Sequence, residues 1–147
     1  MFKRRTTALA GICAAIAMLA VTQPAVAARA SAVAYFQFDV PPDTGRVIFM
    51  LTDPARITEA RNIIKGLQTD RIHVKGTIVK SPARYNPGWS YHLDPASVVF
   101  FSNAVEVCDA TPSYVQAHLA EVGGSFLPGN VWCPWRSRLL REVPALS

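Results

Sequence analysis

The sequence is poor in the residues from which recognisable sites are built. It has three histidines, and His73, His92 and His118 form no H-x-x-x-H pair, so the helical zinc motif is excluded. It has no G-x-S-x-G elbow, the usual seat of an α/β-hydrolase nucleophile. No run reaches about five or six like charges, as a nucleic-acid-binding arm would. After Val21 no apolar segment approaches the roughly 20 residues that cross a bilayer. Internal repeats and low-complexity tracts are also missing beyond the N-terminal region.

What is present begins with a signal. Lys3, Arg4 and Arg5 precede the apolar run "ALAGICAAIAMLAV", and Ala25-Val26-Ala27 follows it. A basic end, a short apolar core and small residues before a cut predict a secretory signal peptide over 1–27. Cys13 lies within its apolar core. Thr6-Thr7-Ala8 lacks the bulk that a twin-arginine signal wants, so the general secretory route is expected. Removing Lys3, Arg4 and Arg5 from the 15 basic residues leaves 12 against 10 acidic ones, a net +2. That is no electrostatic footprint for nucleic acid. Residues 28–147 are expected to form one exported domain, secreted or periplasmic, large enough for its own core. Its two cysteines, Cys108 and Cys133, most simply form one disulfide in an oxidising compartment.

The pattern along this domain predicts an α+β fold. "YFQFDV" alternates, "RVIFMLT" is apolar almost throughout, and Pro41-Pro42-Asp43-Thr44-Gly45 turns the chain between them. Asp53-Pro54 reads as a helix start, with Ile57, Ala60, Ile64 and Leu67 at helical spacing. "RIHVKGTIVK" alternates as a strand, Ser81 to Gly88 is a loop, and a strand opens at Trp89. Asp94-Pro95 turns it back through "VVFF", and "AVEVC" continues or restarts it. A second helix runs from Asp109 or Thr111 to Gly123-Gly124. "FLPGNVWCPW" reads as a loop and "RLLREV" as a last strand. The order is β-β-α-β-β-β-α-β, a mixed or mainly antiparallel sheet with two helices.

Four segments together are distinctive: "YNPGWSYHLDP", "VEVCDAT", "HLAEVGG" and "FLPGNVWCPW". With them the chain, from Tyr35 to Val143, resembles small exported proteins of unknown function. Those proteins share a domain named after a calmodulin-binding protein. The resemblance implies no activity, no catalytic residues and no cofactor. It does not carry a calmodulin role here, because the chain lacks the basic, uninterrupted amphipathic helix of calmodulin targets.

Within "YNPGWSYHLDP", Ser90, His92 and Asp94 alternate and would share one strand face. Same-side residues on a strand stand almost 7 Å apart, whereas a triad needs hydrogen bonds in series. The plainer reading is a polar outer face, with Trp89, Tyr91 and Leu93 packed inward. A metal reading would use His92 and Asp94 with His73, all acceptable ligands. His118 reads as a flanking surface or packing residue. Glu106 and Asp109 would make an acid/base pair only across a cleft. Cys108 as a nucleophile conflicts with export.

The aromatics remain: Tyr85, Trp89, Tyr91, Trp132 and Trp135, in two Pro-rich segments. They are either core or an aromatic-lined recognition surface, for which Trp and Tyr are suited. The expected function is therefore an exported, disulfide-stabilised binding module using those five residues, with an envelope or extracellular protein or glycan as partner. The alternative is a small hydrolase using His92 with Asp94 or Glu106. Secreted material should start near Ala28 by intact-mass analysis, and non-reducing peptide mapping should link Cys108 to Cys133. A mature species retaining Met1 to Arg5 would sink the export reading.

Overall fold

Phe36 and Phe38 alternate with Tyr35 and Gln37, and this alternation starts the fold. In the computed structural model, which describes residues 33–104 and 106–145, they form β1 (Ala34–Asp39). The expected signal peptide lies outside the described residues. β2 (Arg46–Leu51) returns antiparallel, setting Phe36 opposite Phe49 and Phe38 opposite Val47. The corner between them contains a cis Pro41-Pro42 bond, and Asp43 Oδ1 accepts a 2.8 Å bond from the Gly45 N–H. Asp53 caps α1 (Pro54–Ile64) by accepting from the Ala55 N–H at 2.8 Å. Ile57 and Ala60 are its buried residues. It closes at Lys65, and Gly66 supplies the positive φ of 70° that the exit needs.

β3 (His73–Val79) is the organiser of the second half. β4 (His92–Leu93) and β5 (Val99–Phe101) both pair with it antiparallel. A single 3-10 turn, Glu106–Cys108, leads to α2 (Pro112–Ala117), whose N-cap is Thr111. β6 (Val122–Gly123) and β7 (Phe126–Pro128) make a small parallel pair. β8 (Val131–Trp132) then joins β3, with Trp132 opposite Gly76. β9 (Arg138–Val143) returns to β1 and completes a β2-β1-β9 sheet. The architecture is α+β, built on two antiparallel sheets.

The long elements stand where the sequence pattern puts them; the short ones do not. "AVEVC" supplies the 3-10 turn instead of a strand, because the chain there is bent to meet β8. The Cys133 N–H donates to the Cys108 carbonyl at 2.8 Å, and the two cysteines are bridged with Cα atoms 5.1 Å apart. "FLPGNVWCPW" holds two strands, because Leu127, Gly129 and Asn130 all adopt positive φ and reverse the chain tightly. α2 stops at Ala117 and does not reach Gly123. No strand opens at Trp89, since the Ser90 N–H is bonded to the Gln116 side chain.

One main core unites these pieces. Phe36, Phe38, Phe49, Leu51, Val74, Ile78, Tyr91, Leu93, Leu127 and Trp132 are all buried in it. Trp132 is 0% exposed, with Phe38 and Tyr91 at ring-centroid distances of 5.6 and 5.7 Å. Its Nε1–H donates to the Ala110 carbonyl at 2.9 Å, so its one polar atom is satisfied inside. Gly76 opposite it leaves room for β4: a Cβ there would stand 3.2 Å from a Leu93 methyl. Trp132→Ala should cost about 3–5 kcal/mol in urea denaturation, the range for deleting a buried large aromatic. Trp135→Ala, at a residue 37% exposed, should cost under about 1 kcal/mol. Equal costs would mean that burial does not rank these two tryptophans.

Candidate functional site

The stretch Tyr85 to Pro95 is fastened residue by residue. Asn86, almost fully buried, accepts from the Ile48 N–H at 2.8 Å and donates to the Tyr91 carbonyl at 3.0 Å. It thereby occupies the open edge of β2 and holds the loop against it. Trp89 donates from Nε1 to the Arg46 carbonyl at 2.8 Å, and its ring lies over Gly45. A Cβ at Gly45 would meet Trp89 Cζ2 at 2.6 Å, which is why that corner needs glycine. Tyr91 is fully buried, and its hydroxyl donates to the Pro112 carbonyl at 3.2 Å.

The polar residues of this stretch have separate structural partners. Ser90 Oγ accepts from the Gln116 amide at 3.1 Å. His92 Nδ1 lies 2.7 Å from the Ser81 carbonyl, to which it must donate, leaving Nε2 as the acceptor nitrogen. Asp94 accepts from the Ala96 N–H at 3.0 Å and so closes its own turn. None of these bonds joins Ser90 to His92 or His92 to Asp94, so the series that a triad needs is not formed. Asp109 accepts from the Trp135 N–H at 3.0 Å, a loop-closing role, while Glu106 is exposed on the 3-10 turn.

His73 and His92 sit toward opposite ends of β3. His73 begins the strand and lies 2.9 Å from the Ser137 carbonyl through Nδ1. His92 stands opposite Val79, six residues further along, or roughly 20 Å at about 3.3 Å per residue. The two cannot share an ion. Among the described residues, no group of three or more His, Cys, Asp and Glu is placed to hold a metal.

The five aromatics fall into different environments. Tyr91 and Trp132 are core, 0% exposed, and offer no ring face to a partner; the correction follows from their contact with each other and with Phe38. Trp89 is half-buried and packs on Tyr91 at 5.6 Å. Tyr85 is half-buried between Tyr35, at 5.3 Å, and His92, at 6.1 Å. Burial first, then the nearby Tyr35 and Asp94, raises its hydroxyl pKa above the ordinary tyrosine value. Trp135 keeps an exposed ring.

A second aromatic group emerges from the tertiary structure. Tyr114, 52% exposed, stacks on His118 with ring centroids 4.2 Å apart. Phe126 from β7 meets Tyr114 edge-on at 5.3 Å. Glu121 lies 2.9 Å from His118 Nδ1 and steadies that ring. The i, i+4 spacing of Tyr114 and His118 is a sequence signal for their contact. Phe126 has no such signal, because it arrives from another element.

A family model for an N-terminal domain named after a calmodulin-binding protein matches residues 32–146. The chain belongs to this family. The function of the family is unknown. Neither a curated protein nor a solved structure matches the chain.

One carboxylate couples the parts of this N-terminal-type domain around the site. Asp43 Oδ2 accepts from the Ser113 N–H at 2.7 Å, joining the β1–β2 corner to the first turn of α2. Burial works to raise its pKa, but the bonds from Gly45, Ser113 and Thr111 outweigh it and hold the carboxyl below the ordinary aspartate value. A depressed folded-state pKa contributes stability above the unfolded value, about 3.9, that is lost as pH falls through the folded one. Asp43→Ala should therefore cost about 1–3 kcal/mol at pH 7 and much less near pH 2, by urea denaturation at both. An equal cost at both pH values would refute the role of the charge.

Proposed function

We propose that this domain is an exported, non-catalytic binding module that engages an envelope or extracellular protein or glycan through exposed aromatic rings. The observation that carries the reading is the group formed by Tyr114, His118 and Phe126. Three rings meet at the surface on elements fixed from below by the buried Val115 and Leu127. Rings held in this way lose little conformational entropy when a partner covers them. Tyr85, Trp89 and Trp135 extend the aromatic surface on Pro-rich loops. Export is supported by the Cys108–Cys133 bridge, since disulfides persist in oxidising compartments. Among the described residues, no helix is long and apolar enough to cross a membrane.

The hydrolase alternative gains no support from the geometry. His92, Asp94 and Asp109 each serve a main-chain group in a turn or loop. The test is capture of a partner from the producing cell's envelope and surroundings by immobilised mature chain. Tyr114→Ala should lose the captured partner while melting like the parent, and His92→Ala should retain it. Turnover abolished by His92→Ala, with the fold intact, would overturn the binding reading.

A further inference from the structure

Beside the disulfide lies a cleft of about 400 Å3, open to solvent and lined chiefly by Phe101, Val107, Cys108, Pro128 and Val131. Its floor is a small apolar cluster of Phe101, Cys108 and Cys133, separate from the main core. Val107 stands on its rim, 64% exposed, although nothing in a solvated 3-10 turn calls for an apolar side chain there. Lys75 also lines it, from the middle of β3. Lys75 is half-buried, and among the described residues its ammonium has no hydrogen-bonded or ion-paired partner.

We propose that this cleft binds a medium-chain amphiphilic monocarboxylate, its chain against the apolar walls and its head group on the Lys75 ammonium. The volume lies within the range of small-molecule sites. At the roughly 30 Å3 that a water molecule occupies, it has room for about a dozen heavy atoms. One unpaired cation calls for one negative charge, and a charge-assisted hydrogen bond would satisfy it. A phosphate monoester, carrying close to two charges and three acceptor oxygens, would find a single cationic donor. A peptide would leave its N–H and C=O groups facing apolar walls, an unfavourable burial. The proposal uses none of the aromatic surface around Tyr114, so it stands or falls separately from the binding reading above.

The test is calorimetric titration of the oxidised mature chain with octanoate, 1-octanol and octylammonium, each kept monomeric. Octanoate should bind saturably, one to one, at least about tenfold tighter than octanol, with octylammonium weaker still. Lys75→Met, which keeps the apolar stem, should bind octanoate no better than octanol. Val107→Asp changes an exposed rim residue and should melt like the parent. It should weaken octanoate about tenfold by like-charge repulsion, which keeps the proposal testable if Lys75→Met fails to fold. Equal affinity of the parent for octanoate and octanol would overturn the proposal. So would an absence of saturable octanoate binding, or unchanged octanoate affinity in either folded variant.

Discussion

The packing of Trp132 is the contact on which the remainder of the structure depends. Its ring meets Phe38 of β1 and Tyr91 of the long loop, and its backbone belongs to β8 beside β3. The two sheets, which share no strand, are therefore joined through one side chain of large area. Its indole N–H reaches the Ala110 carbonyl just before α2, so the second helix is placed by the same residue. The neighbouring Cys133 is bridged to Cys108 across a 25-residue separation. In the chain-entropy model such a closure is worth roughly 3–4 kcal/mol. It holds Trp132 in place by limiting how far the unfolded loop can stray.

Around that centre, polar side chains do the work that longer strands would otherwise do. Asn86 seals the edge of β2, the Ser137 hydroxyl accepts from the Val74 N–H, and the Ser97 hydroxyl accepts from the Thr77 N–H. No buried side-chain nitrogen or oxygen among the described residues is left without a partner. Since an unmade buried hydrogen bond costs about 1–3 kcal/mol, this satisfaction lets β4, β5, β6, β7 and β8 remain only two or three residues long. It also explains why the acids and imidazoles that looked chemical in the sequence are structural: their lone pairs and N–H groups are already used by nearby main chain.

The surface left over divides into two kinds. One carries rings with polar edges, around Tyr114 and around Tyr85. The other is the apolar cleft beside the disulfide, with Lys75 as its cation. Both draw on β7, through Phe126 in the first and Pro128 in the second. Surfaces of this type depend on where turns deliver side chains, and those turns are held by the bridge and by the positive-φ residues before β8.

From the sequence by itself the α+β class, the long strands β1, β2, β3 and β9, the start of α1 and the pairing of Cys108 with Cys133 could all be read. These rest on local physics: alternation with a period of two, a capping Asp before Pro54, and a count of cysteines. Burial of Tyr91 and Leu93 also followed from alternation. What only the tertiary structure decided is which aromatics are core and which are surface. Trp132 and Trp135 share one short Pro-containing segment, yet the first lies inside and the second keeps an exposed ring. The reason is that burial of a side chain in a turn-rich segment depends on what distant strands bring against it. Phe38 is nearly a hundred residues from Trp132 in the chain, and no periodicity spans that gap. The same holds for Phe126 against Tyr114, and for Lys75 beside Val107: each is a meeting of elements whose spacing in sequence carries no information about their contact.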